Sequence, residues 1–356
     1  MIEFGWLIMI FVGILFVYLG IRFKMEPLLL IPIGFSAVLV NLPGSGIVSE
    51  DGIIYWIFHE LISTEVVPCM IFLCLGALTD FGPLISNPKT FIIGATAQVG
   101  VVVAFFLAML IGFSPAEAAS IGIIGGADGP TTIYLATKLA PQILGATAVA
   151  AYTYMSLVPI IQPPVIMALT SKKERMIRME KPREVKKSEK IIFPMLIAIV
   201  IGLVVPRTVP LIGLMMFGNL LRESGVTERL SKTSQNEFMN ILTIFLGLGV
   251  GGKMVAGEFL TLQTIEIIAL GVVAFMASTA GGVLMVKFMN LFLKKKINPV
   301  IGAAGVSAVP MAARVAQKIV SKEDRQNVIL MHAMGPNVAG VIGTATIAGL
   351  FLQFFL

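Results

Sequence analysis

Long apolar segments set the strongest limit on how this sequence can fold. Several reach about 20 residues, the length at which a helix crosses a bilayer. They lie at about residues 5–22, 27–41, 63–79, 90–112, 115–140, 143–169, 191–206, 209–221, 239–256, 262–293, 297–318 and 326–355. Only 13% of the 356 residues are charged, against about a quarter in a soluble domain. Because helices satisfy their own backbone hydrogen bonds in lipid, the sequence predicts an all-α, polytopic membrane protein and excludes a soluble enzyme.

A basic stretch at residues 171–190 divides the sequence. It holds nine Lys or Arg and four Glu, and so carries five of the six net positive charges of the chain. Positive charge concentrates in the cytoplasmic loops of membrane proteins. We therefore expect 171–190 to be a cytoplasmic loop between two membrane units, residues 1–170 and 191–356. We expect no nucleic-acid partner.

The two units share a pattern of helix-breaking residues. When the second unit is shifted by 180 positions, several of its residues match residues of the first unit. The matches include every Gly-x-x-Gly and Pro that would interrupt the helix. The matched pairs are Gly122 with Gly302, Gly125 with Gly305, Pro130 with Pro310, Ala136 with Ala316 and Lys138 with Lys318. Gly- or Pro-interrupted segments at corresponding positions of two halves are typical of transporter repeats. Chance matching of Gly and Ala in a Gly-rich chain is the alternative.

Charge distinguishes two models of how the segments cross the membrane. If all twelve segments cross once, residues 42–62 lie inside although they contain no Lys or Arg, against the positive-inside tendency. If 115–140 and 297–318 are broken-helix hairpins that enter and leave on one side, 42–62 lies outside. This second model gives about ten spans plus two hairpins. Each unit then has an odd number of spans, so we expect two inverted repeats with both chain ends outside.

The first helix break carries a carboxylate. Residues Gly125–Thr132 read GGADGPTT, with Asp128 between glycines inside an apolar segment. A charge at the bilayer centre costs at least about 2.5–3.5 kcal/mol, so it needs a partner or a function. The carboxylate, the free carbonyls at the break and the hydroxyls of Thr131 and Thr132 would form a site for Na⁺, or one that alternates between Na⁺ and H⁺. The alternative, compatible with the first, is that Asp128 caps the second half-helix.

The second break, its repeat partner, runs from Asn298 to Pro310 and has Ala308 in place of the aspartate. Ser307 and Asn298 could supply neutral oxygens there. Arg314 follows four residues after Pro310. Its guanidinium would bind a carboxylate inside the membrane, or would extend to the cytoplasmic surface.

A third break lies at residues 334–340, which contain Gly335, Pro336 and Asn337. The Asn337 amide oxygen could bind the same cation, or the side chain could join two helices by a hydrogen bond. The facing part of the other repeat contains Tyr152 and Tyr154. Tyr154 could pass protons or close a gate, or it could pack between helices.

Long motifs of the chain resemble one family. They are GGADGPT (125–131), AAYTYMSLVPIIQPP (150–164), MFGNLLRESGV (216–226), KINPVIGAAGVSAVPMAARV (296–315) and MHAMGPNVAGVIG (331–343). With these motifs the sequence resembles the β subunits of the sodium-translocating, biotin-dependent decarboxylases. Those complexes act on oxaloacetate, methylmalonyl-CoA, glutaconyl-CoA or malonate. The resemblance extends over about residues 60–350.

The resemblance assigns roles to individual residues. It implies that Asp128 is the central Na⁺/H⁺ residue and that Asn337 belongs to the sodium site. The other polar positions implicated in the family fall on Tyr154, Asn298, Gly302, Ser307 and Arg314. We expect catalytic roles for Asp128, Tyr154 and Arg314, and ion binding at Asp128, Asn337, Asn298, Ser307 and Gly302.

The resemblance also implies a function and partners. Such a subunit decarboxylates the carboxybiotin of a partner and couples this to Na⁺ export across a prokaryotic cell membrane, with uptake of one proton. The implied partners are a carboxyltransferase subunit, a biotin carrier protein and a small membrane subunit, and we expect a homo-oligomer. The chain has no Met-Lys-Met motif for biotin attachment, so we expect biotin on the partner. The alternatives are a stand-alone Na⁺-coupled carrier of an organic anion and a passive membrane anchor, although an anchor would not need Asp128.

Overall fold

The computed structural model describes residues 4–356, so residues 1–3 of the first predicted unit lie outside the described part. Within it every regular element is helical, which confirms the all-α prediction. The helices of the first unit are α1 Gly5–Phe23, α2 Pro27–Val40, α3 Ile53–Ile62, α4 Val66–Leu78, α5 Gly82–Ser86, α6 Thr90–Thr96, α7 Val99–Ile111, α8 Pro115–Gly122, α9 Gly129–Leu139 and α10 Leu144–Leu169. A 3₁₀ turn, Ile123–Gly126, follows α8.

A short helix, α11 Lys172–Arg175, lies within the predicted loop. The helices that follow it are α12 Lys187–Val204, α13 Leu214–Glu223, α14 Glu228–Thr233, α15 Met239–Gly252, α16 Ala256–Phe259, α17 Leu262–Phe292, α18 Met311–Glu323 and α19 Leu330–Phe355. A 3₁₀ helix, Pro299–Gly305, precedes α18. Helix α12 begins inside the predicted loop because the Glu189 carboxylate accepts a hydrogen bond from the Lys186 backbone N–H and so caps its first turn.

Five helical segments within residues 4–356 are long and apolar enough to cross a membrane. They are Gly5–Phe23, Thr90–Ile111, Pro141–Leu169, Leu262–Phe292 and Leu330–Phe355. Helices α3 and α4 would form a sixth span, bent by 63°. Large apolar side chains remain exposed on these and neighbouring helices, such as Leu110 (82%) and Leu203 (79%). Such surfaces suit contact with lipid.

Helices of the two units pack against each other in defined directions. Helix α2 packs on α15, where the Ser36 hydroxyl donates to the Leu248 carbonyl (2.7 Å) and the Asn41 amide donates to the Met254 carbonyl (2.8 Å). Residue numbers increase in the same direction on both sides of this contact, so α2 and α15 run parallel. Helix α4 packs on α13, which is a second contact between the units.

Helices α6 and α7 lie between two long helices of the second unit. Thr90 of α6 contacts Gly335 of α19, and Gly94 contacts Ala339, so α6 and α19 run parallel. By contrast, Gly100 of α7 approaches Ala274 of α17, while Thr96 at the end of α6 approaches Gly281. Because residue numbers increase along the α6–α7 segment while those of the contacting residues in α17 decrease, the two are antiparallel. Helix α10 also packs on α17.

The loop at 171–190 is held on one face of the bundle by ion pairs. Arg175 contacts Glu323 (2.8 Å) and Arg178 contacts Asp324 (2.8 Å), both at the end of α18. The hydrogen bond from Arg178 holds the pKa of the Asp324 carboxyl below its ordinary value. At the other end of the loop, Lys190 of α12 contacts the carboxylate of Asp80 (3.1 Å). The loop therefore spans from α18 to the end of α4.

Candidate ion-binding site

The first two helix breaks meet in the interior. At the first break, Ala127 takes a left-handed backbone conformation (φ 55) between the 3₁₀ turn and α9. At the second, Val306 is extended between the 3₁₀ helix and α18. The Ser307 backbone N–H donates to the Gly126 carbonyl (2.8 Å). The two interrupted segments are thus joined directly, one residue from Ala127 and two from Asp128.

Asp128 is the one fully buried acidic side chain among residues 4–356, with 4% of its surface exposed. Its Oδ1 accepts from the Thr131 backbone N–H (3.1 Å), and the Thr132 hydroxyl donates to the Asp128 carbonyl (2.8 Å). The predicted capping of α9 is therefore confirmed. No hydrogen bond within the described residues reaches Oδ2 of Asp128, so one carboxylate oxygen stays available.

The structure has no helix break at the third predicted position, because residues 334–340 lie inside the continuous helix α19 with Pro336 in its interior. Asn337 of this helix contacts the second break. Its amide nitrogen donates to the Val306 carbonyl (2.6 Å), next to Ser307. The Ser307 hydroxyl in turn lies 2.7 Å from that of Thr344 on α19, and Thr344 donates to the Gln98 side-chain oxygen (3.1 Å). The structure therefore brings Asn337, Ser307 and the Asp128 break into one connected group.

Buried oxygen atoms without partners surround this group. The Thr131 hydroxyl, the Asn337 side-chain oxygen and the Tyr152 hydroxyl make no hydrogen bond within residues 4–356. An unsatisfied buried polar atom costs about 1–3 kcal/mol. Oxygen atoms with free lone pairs are the ligands that hard cations such as Na⁺ take. The neutral oxygens of Thr131 and Asn337 fit that chemistry, with the Asp128 carboxylate supplying the charge.

A cavity of about 260 Å³ reaches this group from one end of the bundle. Its lining includes the buried residues Asp128, Tyr152 and Ser307 and the half-buried residues Glu26 and Thr79. The Tyr152 ring covers the start of α9, where a Cβ on Gly129 would lie 2.2 Å from the ring. The sequence analysis predicts a catalytic role for Tyr154 and none for Tyr152. Residues two apart lie on nearly opposite faces of a helix, and only the rotation of α10 decides which one faces Asp128.

Three other predicted residues make their contacts with α17 or the basic loop. They are Tyr154, Asn298 and Gly302. The Tyr154 hydroxyl donates to the Ile268 carbonyl of α17. Asn298 uses its amide nitrogen for two carbonyls of the loop and its oxygen for the Val300 N–H (3.1 Å). Gly302 packs directly on the backbone of Gly282. The contacts of Asn298 and Gly302 hold the second break against its neighbours.

Arg314 lies on the exposed side of α18. Within residues 4–356 it makes no ion pair with an acidic side chain. Its neighbour one turn later, Lys318, is also exposed. This position is compatible with both interpretations of Arg314, a carboxylate-binding group and a side chain that extends to the membrane surface.

Known proteins match the chain over almost its whole length. The family described as Na⁺-transporting oxaloacetate decarboxylase beta subunit matches residues 5–355. The methylmalonyl-CoA decarboxylase subunit beta of Veillonella parvula is 58% identical over 345 residues, which cover 97% of this chain and 92% of the relative. The glutaconyl-CoA decarboxylase subunit beta of Acidaminococcus fermentans is 56% identical, with 99% of this chain and 94% of the relative covered.

A relative with a third substrate is also similar. The oxaloacetate decarboxylase beta chain of Klebsiella pneumoniae is 47% identical, with 99% of this chain and 95% of the relative covered. The resemblance read from the motifs is thereby confirmed. The chain belongs to the family of the Na⁺-transporting oxaloacetate decarboxylase beta subunits, and it is a membrane subunit of a decarboxylase sodium pump.

Proposed function

We propose that this chain breaks down the carboxybiotin of a partner subunit and couples that reaction to Na⁺ export with uptake of a proton. The observation that carries the proposal is the position of Asp128. It is buried, it has one unpaired oxygen, it lies where two interrupted helices meet, and a cavity connects it to one face of the bundle. The names of relatives that act on methylmalonyl-CoA, glutaconyl-CoA and oxaloacetate support the same reaction class.

The directions of the helices support about ten spans and two hairpins. Five crossing segments lie between α2 and α15, namely α4, the α6–α7 pair, α10, α12 and α13. Helices separated by five single crossings run parallel, as α2 and α15 do. A crossing by the α8–α9 segment would make them antiparallel. The parallel packing of α6 with α19, and the antiparallel packing of α7 with α17, support a hairpin at the second break by the same reasoning.

Reciprocal packing supports two repeats, 1–170 and 191–356, around the loop at 171–190. Suppose that α2 corresponds to α13, and α4 to α15. The α2–α15 contact and the α4–α13 contact are then equivalent contacts, one from each repeat. If the α6–α7 segment and α10 correspond to α17 and α19, the α10–α17 and α6–α19 contacts form a second such pair. Each repeat then has five spans and one hairpin. An odd number of spans inverts the second repeat relative to the first.

The proposed sodium site centres on Asp128 and Asn337. The free Oδ2 of Asp128, the Asn337 side-chain oxygen and the Thr131 hydroxyl are its ligands. Ser307 holds the second break against this site through its backbone N–H and its hydroxyl. Asn298 and Gly302 support it from farther away, because they fix the 3₁₀ helix that leads into the break.

Coupling follows from the charge of Asp128. The ionised carboxylate pairs with Na⁺, and the protonated carboxyl needs no cation, so the site stays neutral in both states. Partner-bound carboxybiotin supplies the chemistry: its N–carboxyl bond breaks, CO₂ leaves, and the nitrogen takes up one proton. We infer that Asp128 holds the proton in one half of the cycle and Na⁺ in the other. Outward release of Na⁺ then frees the carboxylate for the next proton.

Tyr154 and Arg314 have proposed roles at the edges of the site. The Tyr154 hydroxyl holds α10 to α17, so a change in this contact would open or close the space between these helices. Arg314 presents an unpaired guanidinium on α18, which can bind the carboxylate of an incoming group. Both residues then act on access and on substrate orientation around Asp128.

The function requires partners that carry biotin and recognise the substrate. We propose a carboxyltransferase subunit, a biotin carrier protein and a small membrane subunit, with this chain forming homo-oligomers. The face that bears the loop at 171–190 and the mouth of the cavity is the side on which they would approach.

A pulldown of the tagged chain from native membranes, probed with streptavidin, tests this proposal. We expect a biotinylated protein to co-purify, and the isolated complex to decarboxylate its substrate in a Na⁺-dependent manner. Reproducible absence of a biotinylated partner from folded, intact protein would contradict the proposal and favour the stand-alone carrier.

A further inference from the structure

The cavity that reaches Asp128 contains a second carboxylate, Glu26. This residue immediately precedes α2, where its own backbone is left-handed (φ 36) and Pro27 follows. The side chain is half-buried and lines the cavity. Within residues 4–356 its carboxylate makes no ion pair and accepts no hydrogen bond. A partly buried carboxylate without such a partner is costly in its charged form, and a bound cation would offset that cost.

The mouth of the cavity opens on the face of the basic loop. Thr79, which lines the cavity, is followed by Asp80, whose carboxylate contacts Lys190 at the end of that loop. The positive-inside tendency assigns this face to the cytoplasm. Glu26 therefore stands between the cytoplasmic side and Asp128.

Two hydroxyl groups that line the cavity together with Glu26 favour a cation over an anion. The Thr79 hydroxyl donates to the Leu75 carbonyl (2.6 Å), and the Thr243 hydroxyl donates to the Met239 carbonyl (2.7 Å). Each hydroxyl has only one proton to donate. Since both protons are used within their own helices, Thr79 and Thr243 can offer only lone pairs to the cavity.

We propose that Glu26, with the hydroxyl oxygens of Thr79 and Thr243, forms a second cation site at which Na⁺ is captured from the cytoplasm before it moves to Asp128. This inference rests on the proposed function, because it assigns the cytoplasmic entry of the same ion path. One carboxylate with neutral oxygens gives a weak, rapidly exchanging site. That suits an ion which must leave again toward Asp128. A charged group at the mouth also raises the local cation concentration in a low-dielectric cleft.

The test is Glu26→Gln in the assembled decarboxylase complex, reconstituted in vesicles. Decarboxylation and uptake of radioactive Na⁺ are measured against the Na⁺ concentration. We expect the Na⁺ concentration for half-maximal activity to rise about tenfold, with little change in the maximal rate. Glu26→Asp should restore most of the affinity. The matched control is Glu237→Gln, which removes an exposed carboxylate that does not line the cavity.

A second pair of variants covers the case in which Glu26→Gln does not assemble. Thr243→Val removes a lone pair from the cavity, whereas Thr346→Val removes an equivalent hydroxyl that donates to the Ile342 carbonyl (2.7 Å) away from it. Only Thr243→Val should raise the half-saturating Na⁺ concentration. An unchanged Na⁺ dependence in Thr243→Val, and in Glu26→Gln where that variant assembles, would overturn the entry site alone, provided that the wild-type complex pumps Na⁺. Absence of Na⁺ transport by the wild-type complex would overturn the proposed function and the entry site together.

Discussion

The backbone N–H of Ser307 donates a hydrogen bond to the carbonyl of Gly126 (2.8 Å), so the interrupted segments of the two units are held together at their breaks. Each break exposes carbonyl groups that a continuous helix would satisfy internally. Their contact uses one of those carbonyls and leaves the Asp128 carboxylate beside it. Movement of either interrupted segment would therefore change the surroundings of Asp128.

We predict that position 126, where the two breaks meet, does not tolerate a side chain larger than that of Gly126. In Gly126→Ala the added Cβ would lie 2.5 Å from the side chain of Thr344. Overpacking of this kind costs about 1–3 kcal/mol. We expect lower thermal stability and a loss of Na⁺-dependent decarboxylation in the complex. Gly257→Ala is the control, because open space surrounds that glycine, and equal effects of the two variants would contradict the prediction.

Asn337→Ala should change the Na⁺ dependence of the complex as well as its stability. The variant loses a hydrogen bond to Val306 and a buried oxygen without a partner. Asn219→Ala is a close match, since Asn219 also donates to a backbone carbonyl (2.9 Å) and also has a buried oxygen without a partner. Both variants should lose about 1–3 kcal/mol of stability. Only Asn337→Ala should raise the Na⁺ concentration needed for half-maximal decarboxylation, and a similar rise in Asn219→Ala would argue against a ligand role.

Substitutions of the two tyrosines of α10, Tyr152 and Tyr154, should differ in their effect on stability. Tyr152→Phe removes a hydroxyl that has no partner in the described structure, so the melting temperature should stay the same or rise. Tyr154→Phe removes the hydrogen bond to Ile268, at a cost of about 1 kcal/mol. We expect decarboxylation to fall in both variants and stability to fall only in Tyr154→Phe. Full activity of Tyr152→Phe would mean that its position beside Asp128 has no role in the reaction.

Cysteine labelling from either side of the membrane tests the first proposed hairpin, the α8–α9 segment. The native Cys69 and Cys74 are buried, so introduced cysteines can be labelled selectively. Lys173→Cys lies in the basic loop and Ser45→Cys in the connection after α2, and both positions are exposed. If the α8–α9 segment is a hairpin, these positions label from opposite sides. Labelling from the same side would mean that the α8–α9 segment crosses the membrane.

The break at Asp128 could be predicted from sequence because few interpretations are open to an acidic residue between glycines in an apolar segment. The predicted cap was also correct, since Pro130 and the N–H of Thr131 follow at the spacing that a helix start requires. Local sequence determines both features. The ion ligands around Asp128 remain a prediction.

The contacts between distant segments could not be predicted in the same way. The bond between Ser307 and Gly126 depends on the packing of two interrupted segments that are far apart in sequence, which no local pattern encodes. The rotation of α10, which turns Tyr152 toward the cavity, depends on its packing against α17. The contacts of Asn298 with the basic loop depend on how that loop folds back on the bundle.

Asp128→Asn in the reconstituted complex tests the central claim most directly. The amide keeps the size of the side chain and can still cap α9, but it can neither ionise nor carry a proton through the cycle. Decarboxylation and Na⁺ uptake are measured together over a range of Na⁺ concentrations. Both should be abolished while the folded complex still assembles with its partners. Na⁺-stimulated decarboxylation retained by Asp128→Asn would contradict the account.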